Sequence, residues 1–153
     1  MNKQLTQKTR ESSIGWMLKV LTTSLDSEMN SELKRLDLNI SHFAVLMTLL
    51  ENEGLTQTEI GKKVIMPGYA TTRTIDALEQ KKLVNRCKDE KSRRSFKIFL
   101  THLGHELAPD LFNIVSRVNE DLLSVLNSTE KKNLSKILHK LVQAKLIKLD
   151  NQD

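Results

Sequence analysis

The sequence predicts a mainly α-helical protein carrying one small β hairpin. Apolar residues recur every three or four positions along most of the 153 residues, the spacing of one helix face. Glycine (5) and proline (2) are too scarce to punctuate the many turns of an all-β chain. Only the stretch from Leu83 to Leu100 alternates with the period of a strand.

Each element follows from local signals. Ile14, Met17, Leu18, Leu21, Leu25, Met29, Leu33 and Leu36 form one apolar face of a helix from Ser13 to Leu36. At about 35 Å this helix is long for so small a domain, which points to a span between units or a junction with a partner subunit. Asn39 is a candidate N-cap with His42 at the third helical position, and Phe43, Leu46, Met47 and Leu50 continue the stripe of a helix over about 40–52. In Leu55-Thr56-Gln57-Thr58-Glu59-Ile60, Thr56 and Glu59 form a capping box inside a Leu55/Ile60 hydrophobic staple. That helix is short, ending near Val64 ahead of Pro67-Gly68, and another runs from about Gly68 to Lys81. Two strands follow, Leu83 to Lys88 and Phe96 to Leu100, joined by the polar, basic tip Asp89–Ser95. Thr101 caps a further helical stretch carrying Leu103, Leu107, Leu111, Ile114, Val115, Val118, Leu122 and Leu126, in which Pro109 either introduces a kink or is tolerated. Asn127 to Glu130 read as a last cap, before Leu134, Ile137, Leu138 and Leu141.

Composition narrows the class. With 39% hydrophobic and 28% charged residues the chain reads as one soluble globular domain. One cysteine excludes an intramolecular disulfide framework and a cysteine-rich zinc site, and suits a reducing cytoplasm, where the protein is expected. No apolar run reaches the length of a membrane span, and Met1 to Glu11 is polar, without a secretory core. The charge is concentrated: Gly61–Leu100 holds eleven Lys/Arg against four acids, a surplus of +7 where the whole chain carries +5. A basic block inside a patterned segment is the footprint of a polyanion-binding face, a solvated surface strip being the plainer alternative.

From Thr56 to Thr101 the order is helix, tight connection, helix, strand, basic tip, strand, which is that of a winged helix-turn-helix. In such a unit the second helix enters the major groove, and the wing reaches the neighbouring backbone or minor groove. Tyr69, Thr71, Thr72 and Arg73 suit contact with base edges or an adjacent phosphate. Lys91, Arg93 and Arg94 suit the narrow, negative minor groove or its phosphates. Gln57 and Thr58, at a capped helix entry, suit phosphate oxygens.

These residues resemble the MarR family, including its SlyA-like members, over nearly the whole chain. The similarity is carried by LTQTEIGKKVIMPGYATTRTIDALEQKKLV and the following NRCKDEKSRRSFKIFLTHLGHEL. Its most specific pieces are Thr72-Arg73-Thr74-Ile75-Asp76-Ala77-Leu78-Glu79, and Arg93-Arg94 with Leu100-Thr101 and Gly104. Family wings usually read D-x-x-D-R-R; here Asp89 is kept and Ser92 takes the second acidic place, which weakens the brace on the wing arginine but not its charge. The resemblance implies one MarR-like domain over 1–153, with dimerisation helices at about 10–37 and 102–148 and the winged unit at about 39–101. It implies a homodimer on successive turns of an imperfect palindrome, acting as a repressor of transcription. It also implies release from DNA by a small aromatic or phenolic effector bound between the dimerisation and DNA-binding regions. Trp16, Met17, His42, Phe43 and Met47 are the candidates for that cavity, with plain core packing the simpler account of the apolar four.

Other chemistry is weaker. Cys87 on the first wing strand reads as a half-buried strand residue rather than a redox sensor. His42, His102 and His105 lie where zinc-responsive relatives use histidine, but Ser41 precedes His42 where a carboxylate would be needed, so no metal and no cofactor is expected. No catalytic signature is present, so an enzyme is not expected. The competing function is a winged-helix adaptor whose basic face meets an acidic protein partner.

Overall fold

A computed structural model describes residues 3–89 and 92–150, with the side chains of 92–94 and 147–150 outside the description. The chain forms two compact units, Met1–Val118 and Asn119–Asp153. Among the described residues the elements follow in this order: α1 (Lys3–Glu11), α2 (Ile14–Lys34), α3 (Ile40–Glu51), β1 (Leu55–Thr56), α4 (Gln57–Val64), α5 (Gly68–Gln80), β2 (Val84–Asp89), β3 (Ser92–Leu100), α6 (His102–Glu106), α7 (Ala108–Leu122) and α8 (Ser128–Asp150).

The helix starts obey their capping chemistry. Ser13 caps α2 by accepting from the Trp16 amide. Asn39 caps α3 through a box closed by a histidine: Asn39 Oδ1 accepts the His42 amide at 2.9 Å, and His42 Nδ1 accepts the Asn39 amide at 3.3 Å. Thr56 and Glu59 close the box at α4, where the carboxylate takes both the backbone amide and the hydroxyl of Thr56 at 2.7 and 2.8 Å. α4 ends at Ile65 in the left-handed region (φ 54°), and the Met66 amide returns to the Gly61 carbonyl.

The core of the first unit is built by Leu33 of α2, Val45, Leu46 and Leu49 of α3, Ile60 of α4, Ile75 and Leu78 of α5, Val84 and Ile98 of the sheet, and Leu111, Ile114 and Val118 of α7. The antiparallel sheet runs β1-β3-β2, with Leu55 opposite Ile98, Val84 opposite Leu100 and Asp89 opposite Ser92. Ile98, in the central strand, is fully buried.

Four elements differ from what periodicity suggests. β3 begins at Ser92 rather than Phe96, so Ser92 to Ser95, expected in the polar tip, lie in the strand. α1 buries none of its residues, so it carried no apolar signal to read. β1 has only two residues, too few to alternate, and doubles as the staple and cap of α4. The stretch after Thr101 is two helices broken at Leu107, not one; Pro109 falls in the first turn of α7, where its missing amide proton costs no intrahelical bond.

Large apolar side chains remain outside this core. On α2 they are Ile14, Trp16, Met17, Leu18, Val20 and Leu21; in the second unit, Ile137, Leu138, Leu141, Val142 and Leu146 of α8 are exposed.

Candidate nucleic-acid interface

α4 and α5 meet at a close approach of small groups. A β-carbon on Gly61 would lie 2.9 Å from Thr71 Oγ1 and 3.3 Å from the Met66 carbonyl oxygen, so glycine lets α5 sit against α4. Thr71 is fully buried in this contact, and its hydroxyl donates to the Pro67 carbonyl at 3.1 Å. Its expected base contact is therefore corrected: Thr71 is a packing residue, because a side chain without exposed surface reaches no groove.

The outer face of α5 carries Tyr69, 73% exposed, and the exposed Arg73 four residues on. Thr72 is half-buried beside them. Pro67, the N-cap of α5, makes no side-chain hydrogen bond to its first-turn amides. Gln57 begins α4 and donates from Nε2 to Thr72 Oγ1, linking the two helices across their open ends. Thr58 is exposed next to it.

Arg86 of β2 was not marked as a site by sequence, yet it fastens the wing to α5. Its guanidinium pairs with Asp76 and Glu79, and its amide donates to Glu79 Oε1 at 3.3 Å. The acidic positions of the T-R-x-x-D-x-L-E run were the available signal. The wing itself is β2 and β3. Ser95 donates to Asp89 Oδ2 at 3.1 Å across the hairpin, on the carboxylate that the wing retains. Arg93 and Arg94 lie on β3 with side chains outside the description, and Lys91 lies outside the described residues.

The base of the wing explains a second motif. Thr101 Oγ1 donates to the Lys82 carbonyl at 2.6 Å and accepts the Gly104 amide at 3.0 Å. A β-carbon on Gly104 would stand 2.2 Å from the Leu83 carbonyl oxygen, a distance no side chain tolerates. Thus the L-T-x-x-G run turns the chain out of β3 into α6 against the strand entry. Glu53 secures the same junction, accepting the Leu100 amide at 3.1 Å and pairing with His105 Nε2 at 2.9 Å.

The remaining sequence candidates are dispersed. Phe43 and Met47 pack half-buried against the core, whereas Trp16 and Met17 lie outside it, 38% and 41% exposed on the first turn of α2, and the Arg10 guanidinium sits 5.5 Å over the Trp16 ring. His42 is buried in its capping box; burial holds its pKa below the usual imidazole value, Lys81 adds to the depression, and Asp37 opposes it. His102 pairs instead with Glu106 at 3.3 Å. Among the described residues, no three His, Cys, Asp or Glu side chains gather as metal ligands. Cys87 is exposed, not half-buried, because its side of β2 faces away from the core.

A short helix, a tight left-handed connection, a second helix with an open polar face and a hairpin fastened to it define a winged helix-turn-helix. The MarR family model matches residues 38–96. The HTH-type transcriptional regulator SarZ of Staphylococcus aureus is 30% identical over 111 residues, 66% of this chain and 75% of SarZ. A MarR transcriptional regulator from Methanosarcina mazei superposes with a TM-score of 0.82 at 26% identity, over 87% of this chain and 96% of that one. A mutant MarR from Escherichia coli, crystallised with operator DNA, shares the fold at a TM-score of 0.75 and 24% identity, over 84% of this chain and 92% of that one. The chain belongs to the MarR family and is a transcriptional regulator, not an enzyme.

Proposed function

We propose that this protein is a homodimeric, sequence-specific DNA-binding repressor of palindromic operators in the cytoplasm. The observation that carries the reading is the open face of α5, with Tyr69 and Arg73 exposed beside Gln57 and Thr58 and the basic wing fastened alongside through Arg86. Tyr69, Thr72 and Arg73 serve the major groove; Gln57 and Thr58 hold phosphate or base edge at its rim; Lys91, Arg93 and Arg94 clamp the flanking minor groove. The crystallisation of the E. coli relative with operator DNA supports duplex DNA as the partner.

The dimer reading rests on the uncovered apolar side chains of α2 and α8, which water would otherwise face. These helices are the dimerisation segments of about 10–37 and 102–148, flanking the winged unit of about 39–101. A small aromatic or phenolic effector would bind among Trp16, Met17, Phe43 and Met47 once a second copy brings the exposed pair under cover, with His42 at the rim. Its binding would release DNA.

One binding assay tests the reading. Fluorescence anisotropy on a mixed duplex pool is expected to show affinity falling linearly with salt on logarithmic axes. Arg94→Ala is expected to lower affinity for all sequences and to flatten that slope by about one phosphate charge. Phenolic acids added to the complex are expected to release the duplex while changing the emission of Trp16, the one tryptophan. Salt-independent binding, or none in dilute buffer, overturns the reading and leaves the acidic-partner adaptor.

A further inference from the structure

The hydroxyl of Thr72 is already engaged inside the protein. Its single proton goes to the Gly68 carbonyl at 2.9 Å, the ordinary back-bond of a helical threonine, and one lone pair receives the Gln57 amide. A hydroxyl in that state cannot donate to a base. The same pairing fixes the Gln57 amide, since a hydroxyl whose proton is committed elsewhere accepts from nitrogen rather than donating to oxygen. Gln57 is thereby held at the mouth between α4 and α5, with Oε1 and its second N–H still open to a ligand.

An acceptor and a donor side by side on one planar amide match the N6 and N7 edge of adenine in the major groove. We propose that Gln57 is the specificity-determining residue for one A·T pair in each half-site, and that Thr72 is a positioning residue that holds it. This deepens the DNA-binding reading and rests on it. The Thr72 hydroxyl acts through Gln57.

The test is selection of bound duplexes from a random pool by the full chain and its variants, with thermal melts as a folding control. The wild type is expected to fix an A·T pair at one position per half-site. Thr72→Val, which keeps the shape and the methyl but loses the hydroxyl, is expected to relax that position about ten- to a hundredfold while the other positions stay fixed. Gln57→Ala is expected to relax the same position, and the double variant no further than either single one. Thr72→Ser, which keeps the hydroxyl, is expected to retain the preference. The inference is overturned if Thr72→Val keeps the preference that Gln57→Ala loses, or if Gln57→Ala weakens all sequences alike, as a phosphate contact would. A wild type that binds duplexes with no preference overturns this inference alone, whereas one that binds none overturns the DNA-binding reading with it.

Discussion

Gly104 is a position where one atom decides the fold. Its missing β-carbon leaves room for the Leu83 carbonyl, which would stand 2.2 Å from an added carbon. Gly104→Ala must therefore push the start of α6 away from the strand entry, against Thr101, which bonds to both sides of that junction. The expected loss is about 1–3 kcal/mol of unfolding free energy, read by urea denaturation; an unchanged midpoint would contradict the contact. His42 is a second such position. Its Nδ1 accepts the Asn39 amide only while unprotonated, and burial beside Lys81 keeps its folded-state pKa below the ordinary value near 6.5. The unfolded chain therefore takes up the proton first on acidification. Stability is expected to hold above about pH 6.5 and to fall from there down to the folded-state pKa. His42→Gln, which can still close a capping box but does not titrate, is expected to remove that dependence. Retention of the same pH profile in the variant would show that the histidine is not its source. Both positions could be found from sequence, glycine by its motif and His42 by its place after Asn39, but the partner atoms could not: Leu83 and Lys81 lie far along the chain from the groups they meet.

Among elements, the joint between α5 and the wing matters most, because the proposed function needs two surfaces to reach one duplex together. Arg86 makes that joint with Asp76 and Glu79, both partly exposed, so solvent screens the pairs and their contribution to stability is on the order of 1 kcal/mol or less. Their contribution to alignment is larger. Arg86→Met is expected to leave the melting temperature within a few degrees and to weaken duplex binding on the order of tenfold, since a recognition surface loosened at its support loses its simultaneous contacts. Equal DNA affinity in the variant would reduce Arg86 to a surface ion pair. Legibility in the sequence divides along the same line. The starts of α3, α4 and α6 announced themselves through Asn39, Thr56 and Thr101, because capping is local chemistry and its residues lie three apart. The two-residue β1 did not, since it is set by its pairing with β3 rather than by a period; the break at Leu107 lies two residues ahead of Pro109, the residue that marks a kink in the sequence. Thr71 is a miss of another kind within the candidate site. Its residue type suits a groove, but its spacing from Ile75 and Leu78, four and seven residues on, already puts it on the apolar face of α5 that packs at Gly61. Arg86 was counted among the basic charges, and the acids that claim it stand on another element.

For the molecule as a whole, the balance to be struck is between apolar surface and partner. α2 begins to pack on the core only at Leu25, leaving its first turns and their apolar side chains exposed, and α8 displays a row of its own. Burial of such faces against a second copy would remove them from water and set two α5 helices at half-sites about 34 Å apart. In the proposed function, paired chains, a groove-facing α5 and a cationic wing would form one device, in which affinity comes from phosphates and selectivity from base edges. The most direct measurement is sedimentation equilibrium of the chain alone and with a duplex carrying the selected palindrome. A dimer in free solution and two chains per duplex are the expected result; a monomer that stays single on the duplex, or no complex at low salt, would contradict the account.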